Sequence, residues 1–215
     1  MRKYEFTGET KNYLGVTLHR IKSLIDFGDV KSGEIGGWIE KEDNLCHYGD
    51  AWVGGDAKVY GDAKVCDDAH VFGNAHVFGN ARVFGNAWVY DDAQVFGNAR
   101  VFGDAWVYDN ARVFGNAQVF GNARVFGNAR VCDAKCVFWI SAIGSRNDTT
   151  TFFNCADGKI RVSCGCFYGD LDEFAKAVNK THGENEHGQV YRLAIEMAKK
   201  RIHTVFQEVK RNDQD

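Results

Sequence analysis

The sequence predicts a mainly-β chain. Its middle is a stack of short strands, with a β segment before it and a small α+β domain after it. Two observations carry the middle. From Ala51 to Val131 the unit Ala-x-Val-(Phe/Tyr)-Gly-(Asn/Asp) recurs every six residues, as in Ala75-His76-Val77-Phe78-Gly79-Asn80. Fourteen consecutive units keep both Ala and Val without an insertion, and a period this regular outranks local propensity as a guide to architecture. A strict period of six drifts around a 3.6-residue helix, and a glycine in every turn would destabilise one. Strand logic fits: Ala and Val stand two apart and share one side of an extended segment. Gly followed by Asn or Asp then turns the corner, because these residues tolerate positive φ.

The same residues carry a resemblance. An aliphatic residue, a small residue four later and Asn or Gly between them resemble the hexapeptide repeat of left-handed parallel β-helices. The resemblance implies that fold, with three hexapeptides per 18-residue coil. The Phe or Tyr after each Val departs from the usual family pattern. An independent check on 18 comes from the tryptophans: Trp88-Val89-Tyr90-Asp91-Asp92 recurs as Trp106-Val107-Tyr108-Asp109-Asn110, and Trp52 precedes Trp88 by twice that interval. At about 4.8 Å per stacked strand the rod is roughly 20 Å long, longer if residues 33–50 add a coil.

Wrapping the chain at 18 sorts the outward positions into three faces. The first holds Trp52, His70, Trp88, Trp106 and Arg124 beside Gly54, Phe72, Tyr90, Tyr108 and Phe126. The second holds Lys58, His76, Gln94, Arg112 and Arg130 beside Tyr60, Phe78, Phe96, Phe114 and Cys132. The third holds Lys64, Arg82, Arg100 and Gln118 beside Cys66, Phe84, Phe102 and Phe120. The interior is therefore Ala and Val, and each face is expected to stack a ladder of rings. On the second and third faces the cationic column is expected to lie over those rings. The first face is aromatic in both columns, and Trp52, His70, Phe72, Trp88, Tyr90, Trp106 and Tyr108 form its candidate binding surface. A contiguous exposed apolar patch marks association, and the hexapeptide family commonly trimerises side by side. A self-contact as dimer or trimer, a protein partner, or a flat base or sugar ring all suit the residue types.

The flanks complete the division into 1–32, an N-terminal β cap, 33–136, the β-helix, and 137–215, the C-terminal domain. Lys3–Phe6 and Val16–Ile21 read as strands joined by a polar loop, covering the strand edge that a β-helix leaves open. Gly36-Gly37-Trp38-Ile39-Glu40 leads into the first coil, and this stretch resembles the leader of uncharacterised bacterial and bacteriophage repeat proteins. After Val131 the period stops. Val137–Ile140, Thr149–Asn154 and Ile160–Cys164 read as three strands, with Asp157-Gly158 as a hairpin turn. A first helix takes Asp170 as N-cap with Glu173 three later and stops near Gly183. A second runs from about His187 to Lys210 with Ala198, Ile202, Val205, Phe206 and Val209 on one stripe. This segment resembles a tail seen in phage and prophage proteins.

Composition excludes several classes. There is no proline in 215 residues, where about 5% is usual, so proline-rich recognition tails are out. Residues 1–50 carry 7 basic and 9 acidic side chains, 51–131 carry 7 and 8, and 132–215 carry 12 and 12. No segment has the bias that steers a chain to nucleic acid or an anionic membrane, and no dense anionic surface copies a duplex. The Met1-Arg2-Lys3-Tyr4-Glu5-Phe6 start has no apolar run behind it, as a secretory leader would. Seven cysteines, an odd number, then read as reduced thiols in a cytoplasm, with Cys66 and Cys132 as packing substitutes for Phe or Tyr.

No catalytic set converges. Hexapeptide acyltransferases need a histidine base and a loop extruded between coils; His70 and His76 offer the residue type, but fourteen units run without a loop. Zinc carbonic anhydrases on this fold need three converging histidines. Cys132, Cys136, Cys155, Cys164 and Cys166 are irregularly spaced for zinc, and Cys166 with His182 has no local nucleophile signature. Arg146 and Asp148, in the turn Gly144–Thr149, form a secondary candidate for anion contact. The expected function is a phage- or prophage-encoded, non-catalytic binding or scaffold protein of the host cytoplasm, without cofactor or metal. It acts by protein–protein contact, with antagonism of a host defence system as its role. A divergent acyltransferase and a nucleotide- or sugar-sequestering protein are the alternatives.

Overall fold

A computed structural model describes residues 2–203. The chain opens with β1 (Tyr4–Tyr13), β2 (Val16–Ser23) and β3 (Ile35–Ile39). Fourteen short strands then follow at regular spacing, β4 to β17, from Trp52–Val53 to Arg130–Val131. The end of the described chain adds β18 (Val137–Ile143), β19 (Asp148–Asn154), β20 (Ile160–Cys164), β21 (Phe167–Asp170), α1 (Leu171–His182) and α2 (Glu186–Arg201).

The repeat strands stack in parallel, each on the strand three units further along, as in Trp88↔Trp106, Gln94↔Arg112 and Arg100↔Gln118. This gives three sheets around one axis, the mainly-β parallel coil that the two periods predict. Every repeat Ala and Val is fully buried in a single core. Removing one Val side chain from water contributes about 1.5–3 kcal/mol. Neighbouring coils are joined by two or three backbone bonds per unit: in one unit Gln94, Phe96 and Asn98 donate N–H to the carbonyls of Ala111, Val113 and Gly115 at 2.9, 3.0 and 2.8 Å. Outside, Phe78, Phe96 and Phe114 stack at centroid spacings of 4.9 and 5.2 Å. At one corner Asn80, Asn98 and Asn116 pass amide hydrogen bonds along the rod at 3.2 Å.

The N-terminal segment differs from expectation in two ways. The stretch Thr7–Asn12 is strand rather than polar loop: β1 runs on to Tyr13 and only Leu14-Gly15 makes the turn. Its polarity reflects exposure, because this half of β1 leaves the core. The hairpin also lengthens a sheet as well as covering an end, since β2 pairs antiparallel with β3, which pairs parallel with Lys58–Val59. Residues 33–50 do add a coil, but at an offset of 20: Trp38 pairs with Lys58 and Leu45 with Val65. The end itself is closed by side chains. The Lys3 ammonium donates to the carbonyls of Gly49 and Ala51 at 3.1 and 2.7 Å, and burial pushes its pKa down to about 8. Asn44 Nδ2 donates to Gly61 and Ala63, and the Tyr4 hydroxyl to Glu42 and Leu45.

At the other end β19 crosses the last coil. Ala129 bridges Cys155, and Arg124 N–H donates to Thr151 Oγ1 at 3.2 Å. Period-two alternation gives β19 two jobs. Phe153 joins the Ala/Val core and closes the rod, while Phe152 joins Phe174, Val178, Tyr191 and Ile195 under the helices. The C-terminal sheet has four strands, not three, in the order β18-β19-β20-β21. The extra strand, Phe167–Asp170, was hidden because a tight turn at Gly165 joins it to β20 and it runs directly into the cap of α1. Asp170 accepts from the Asp172 and Glu173 amides, and α1 stops at Gly183, as expected. The second helix ends at Arg201, short of Lys210, with Ile202 extended; Val205, Phe206 and Val209 lie outside the described residues. Cysteine pairing also departs from the reduced-thiol expectation. Cys46 is joined to Cys66 across adjacent coils and Cys132 to Cys136 at the exit of the rod, so Cys66 and Cys132 are cross-links rather than substitutes for a ring.

The corner residue decides which substitutions the rod accepts. Gly97 has φ 69°, and a Cβ there would stand 3.0 Å from the Gly115 nitrogen. Asp67 and Asp109 occupy the same slot at φ 58° and 56°, and each carboxylate accepts the amide of the matching corner one coil on, from Gly85 and Gly127, at 3.1 Å. Gly97→Ala is therefore expected to lower unfolding stability by about 1–2 kcal/mol, and Gly97→Asp by less. Urea melts of both variants check this; an equal loss would contradict the role given to the carboxylate.

Candidate functional site

The first face is a bounded strip. Trp52 is not part of its surface: it is 5% exposed, with Phe27 edge-on at 5.6 Å. The N-terminal segment folds over it, an arrangement that the repeat alone does not encode. His70, Phe72, Trp88, Tyr90, Trp106 and Tyr108 are all half-buried. At the far end Tyr168 covers Phe126 at 4.6 Å, and the Arg124 guanidinium lies over Trp106 at 5.2 Å.

Within the strip, most ring faces are used up by ring neighbours. Phe72, Tyr90, Tyr108 and Phe126 stack at 5.3, 4.9 and 4.7 Å with interplanar angles of 11°, 3° and 7°. Trp88 stacks on Trp106 at 5.8 Å, and His70 lies against Trp88 at 4.9 Å. Ring edges, the positive rim of the quadrupole, point outward. The cation ladders differ from expectation for the same reason. Among the described residues no Lys or Arg of the third face lies over a ring of its ladder, and on the second face the Lys58 ammonium instead lies over Tyr13, 5.2 Å away.

The two histidines sit in different sheets, His70 in the first and His76 in the second. Burial holds His70 below its ordinary pKa, opposed by Asp29, Asp50 and Asp68. Burial, with Lys58 and Lys11 adding to it and Asp92 opposing, pushes His76 down to about 4. Tyr13 covers the His76 ring edge-on at 5.2 Å, with its hydroxyl 3.3 Å from Nδ1.

Arg146 and Asp148 are exposed, and Asp148 lies at the border of two hollows. One, of about 400 Å³, joins Trp106, Arg124 and Asp104 of the rod to Asp148, Thr151 and Ser163 of the C-terminal sheet. The other, of about 230 Å³, holds Arg146, Cys164, Cys166, His182 and Tyr191. The structure thus brings Asp148, but not Arg146, to the end of the primary strip. A third feature carries no motif in the sequence: an apolar groove of about 490 Å³ where Phe120 meets Val137, Phe138 and Trp139. Its signal was Trp139, just after the repeat, whose facing no periodicity fixes. Cys132, Asp133 and Cys136 bring potential ligand atoms within 4.8 Å of one another, but the two thiols are joined to each other. Among the described residues no helix is long and apolar enough to cross a membrane.

The stacked strands and buried Ala/Val core define a β-helix repeat protein. The chain is similar to a family described as the YdcK beta solenoid repeat, whose model matches residues 75–91, 93–108, 105–119 and 117–133, all within the coil and its exit. No curated protein matches the chain.

The depressed His76 pKa fixes the sign of an acid effect. The unfolded chain takes up this proton near pH 6.5 and the folded chain near 4, so stability present above pH 6.5 is lost as pH falls through that window. His76→Gln, matching Gln94 in the next coil, is expected to shrink the loss between pH 7 and 4.5 in denaturant melts. An identical loss in both proteins would show that His76 is not buried as a neutral ring.

Proposed function

We propose that the protein is a non-catalytic binding or scaffold protein that engages a protein partner, or a second copy of itself, through the first face. The observation that carries this reading is the strip itself. Six half-buried side chains present ring edges and tyrosine hydroxyls in ribs one strand apart, while most of their ring faces are taken by neighbours, Phe72 being stacked on one side only. A nucleobase or sugar ring needs a free ring face on which to stack, whereas a ribbed apolar surface suits a protein surface. Three coils at about 4.8 Å make the strip only roughly 15 Å tall. Stable interfaces need about 800 Å² per partner, so the contact extends over the C-terminal sheet, where Tyr168 is 45% exposed.

The acyltransferase alternative is less well supported by the same geometry. His70 and His76 occupy separate sheets, Tyr13 covers His76, and the repeat extrudes no loop to wall a cleft. A phage or prophage origin and a role against a host defence system rest on the resemblance of the flanking segments.

Trp88→Ala combined with Trp106→Ala is expected to abolish assembly or partner capture while the rod still unfolds cooperatively. Sedimentation velocity and native mass spectrometry of wild type and variant read this out. Unchanged assembly, with the same co-purifying mass, would reject the first face as the site.

A further inference from the structure

The third face combines a cationic row with an apolar column, and its charges are uncommitted. Lys64, Arg82 and Arg100 stand in register on successive strands, so about 4.8 Å separates each from the next. All three are exposed. Among the described residues none of them forms an ion pair or lies over a ring. Like charges directly opposite each other on neighbouring strands destabilise a sheet, so an anion laid along the row relieves a repulsion that the free protein carries.

Four of the carboxylates at the edges of this face have partners in the chain itself, and a fifth, Asp43, shares a hollow with Lys41, Asp62, Lys64 and Arg82. Asp62 is held by Lys41 at 2.8 Å. Asp67 accepts from the Gly85 amide, Asp68 from the Asp50 amide and Asp104 from Asn86.

Beside the row runs the Phe84–Phe102–Phe120 ladder, stacked at 4.9 and 4.8 Å. It ends at the apolar groove, where Trp139 stands edge-on to Phe120 at 4.5 Å and Arg201 lies on the rim. Phe120 is 39% exposed. The face therefore asks for a ligand with acidic groups along one line, an apolar stripe beside them and one larger apolar side chain at the end.

We propose that the third face is a docking surface for an acidic amphipathic helix of a partner protein. Acidic side chains one helical turn apart repeat at about 5.4 Å, close to the strand spacing of the row, whereas same-side residues of an extended peptide repeat at about 6.8 Å. Charge complementarity selects the acid, and the groove under Trp139 takes the anchor. Single-stranded nucleic acid would combine such cations with bases stacked on successive free ring faces, and the stacked ladder leaves edges and one end face, at Phe84. The surface is separate from the first face, so either can fail alone.

The test uses the whole protein and three fluorescent probes in anisotropy titrations. They are a designed helical peptide with glutamates one turn apart and a Leu/Phe stripe, the same peptide with lysine for each glutamate, and an oligothymidylate. The glutamate peptide is expected to bind, and to weaken at least about tenfold between about 50 and 300 mM salt. Arg82→Glu with Arg100→Glu should give a comparable loss at low salt. Arg82→Gln with Arg100→Gln, the residue found at Gln118, repeats the test should charge reversal disturb folding. Trp139→Ala should weaken binding without changing the salt dependence, and Trp88→Ala with Trp106→Ala should leave it unaltered. Absence of glutamate-peptide binding, equal binding of the lysine peptide, or indifference to both arginine pairs would overturn the proposal. Tighter binding of the oligothymidylate would overturn it in favour of a nucleic-acid surface.

Discussion

A three-sided coil must turn three corners, and at each corner one residue has to sit at positive φ. That constraint organises the molecule. Glycine fills most corner slots, and aspartate fills the slots at 67, 91 and 109. Once the corners are fixed, only a short extended piece remains on each side, and its alternation leaves one choice. Val, with the Ala that precedes the strand, turns inward, and the residue between them turns out. The fixed corner also keeps each side chain above its counterpart three units away, so that side chains of one type can form columns. The ring stacks, the Asn ladder and the aligned cations of the third face all follow from that register. A change at a corner therefore acts on backbone register first and on packing second.

The ends decide how the three faces differ. An unfinished rod exposes a row of carbonyls at one end and an open Ala/Val core at the other. Lys3, Tyr4 and Asn44 supply donors to the first coil, and Phe153 plugs the last one. The segments that carry these residues also spread over the sides. Tyr13 reaches His76 on the second face, Phe27 covers Trp52 at the start of the first, and Tyr168 covers Phe126 at its end. What remains open is the middle of the first face and most of the third. Both proposed interaction surfaces are thus defined as much by the caps as by the repeat.

The balance between legible and hidden follows the same division. The coil could be read because its period is enforced by backbone geometry at every turn, and the cap of α1 because Asp170 and Glu173 bond locally. The strip was legible in residue type, yet Trp52 was misplaced, since its burial depends on Phe27, which lies in an earlier segment with no period. The pairing of Cys46 with Cys66 was hidden because the first coil is slightly longer than the others, which breaks the regular spacing. The groove at Trp139 was invisible for a related reason: its walls come from the last coil, β18 and the end of α2, brought together only by the way β19 closes the rod.

Residue-resolved hydrogen exchange in the native protein tests the central claim, that the chain is a coil locked in register at every third repeat unit. The account predicts slow exchange for the amides of Gln94, Phe96 and Asn98, which donate to the following coil. It predicts fast exchange at the Gly97 corner between them, with this pattern recurring at Arg112 and Phe114 on the same sheet. Uniform protection through a corner, or protection that follows a helical period across residues 75–131, would contradict it.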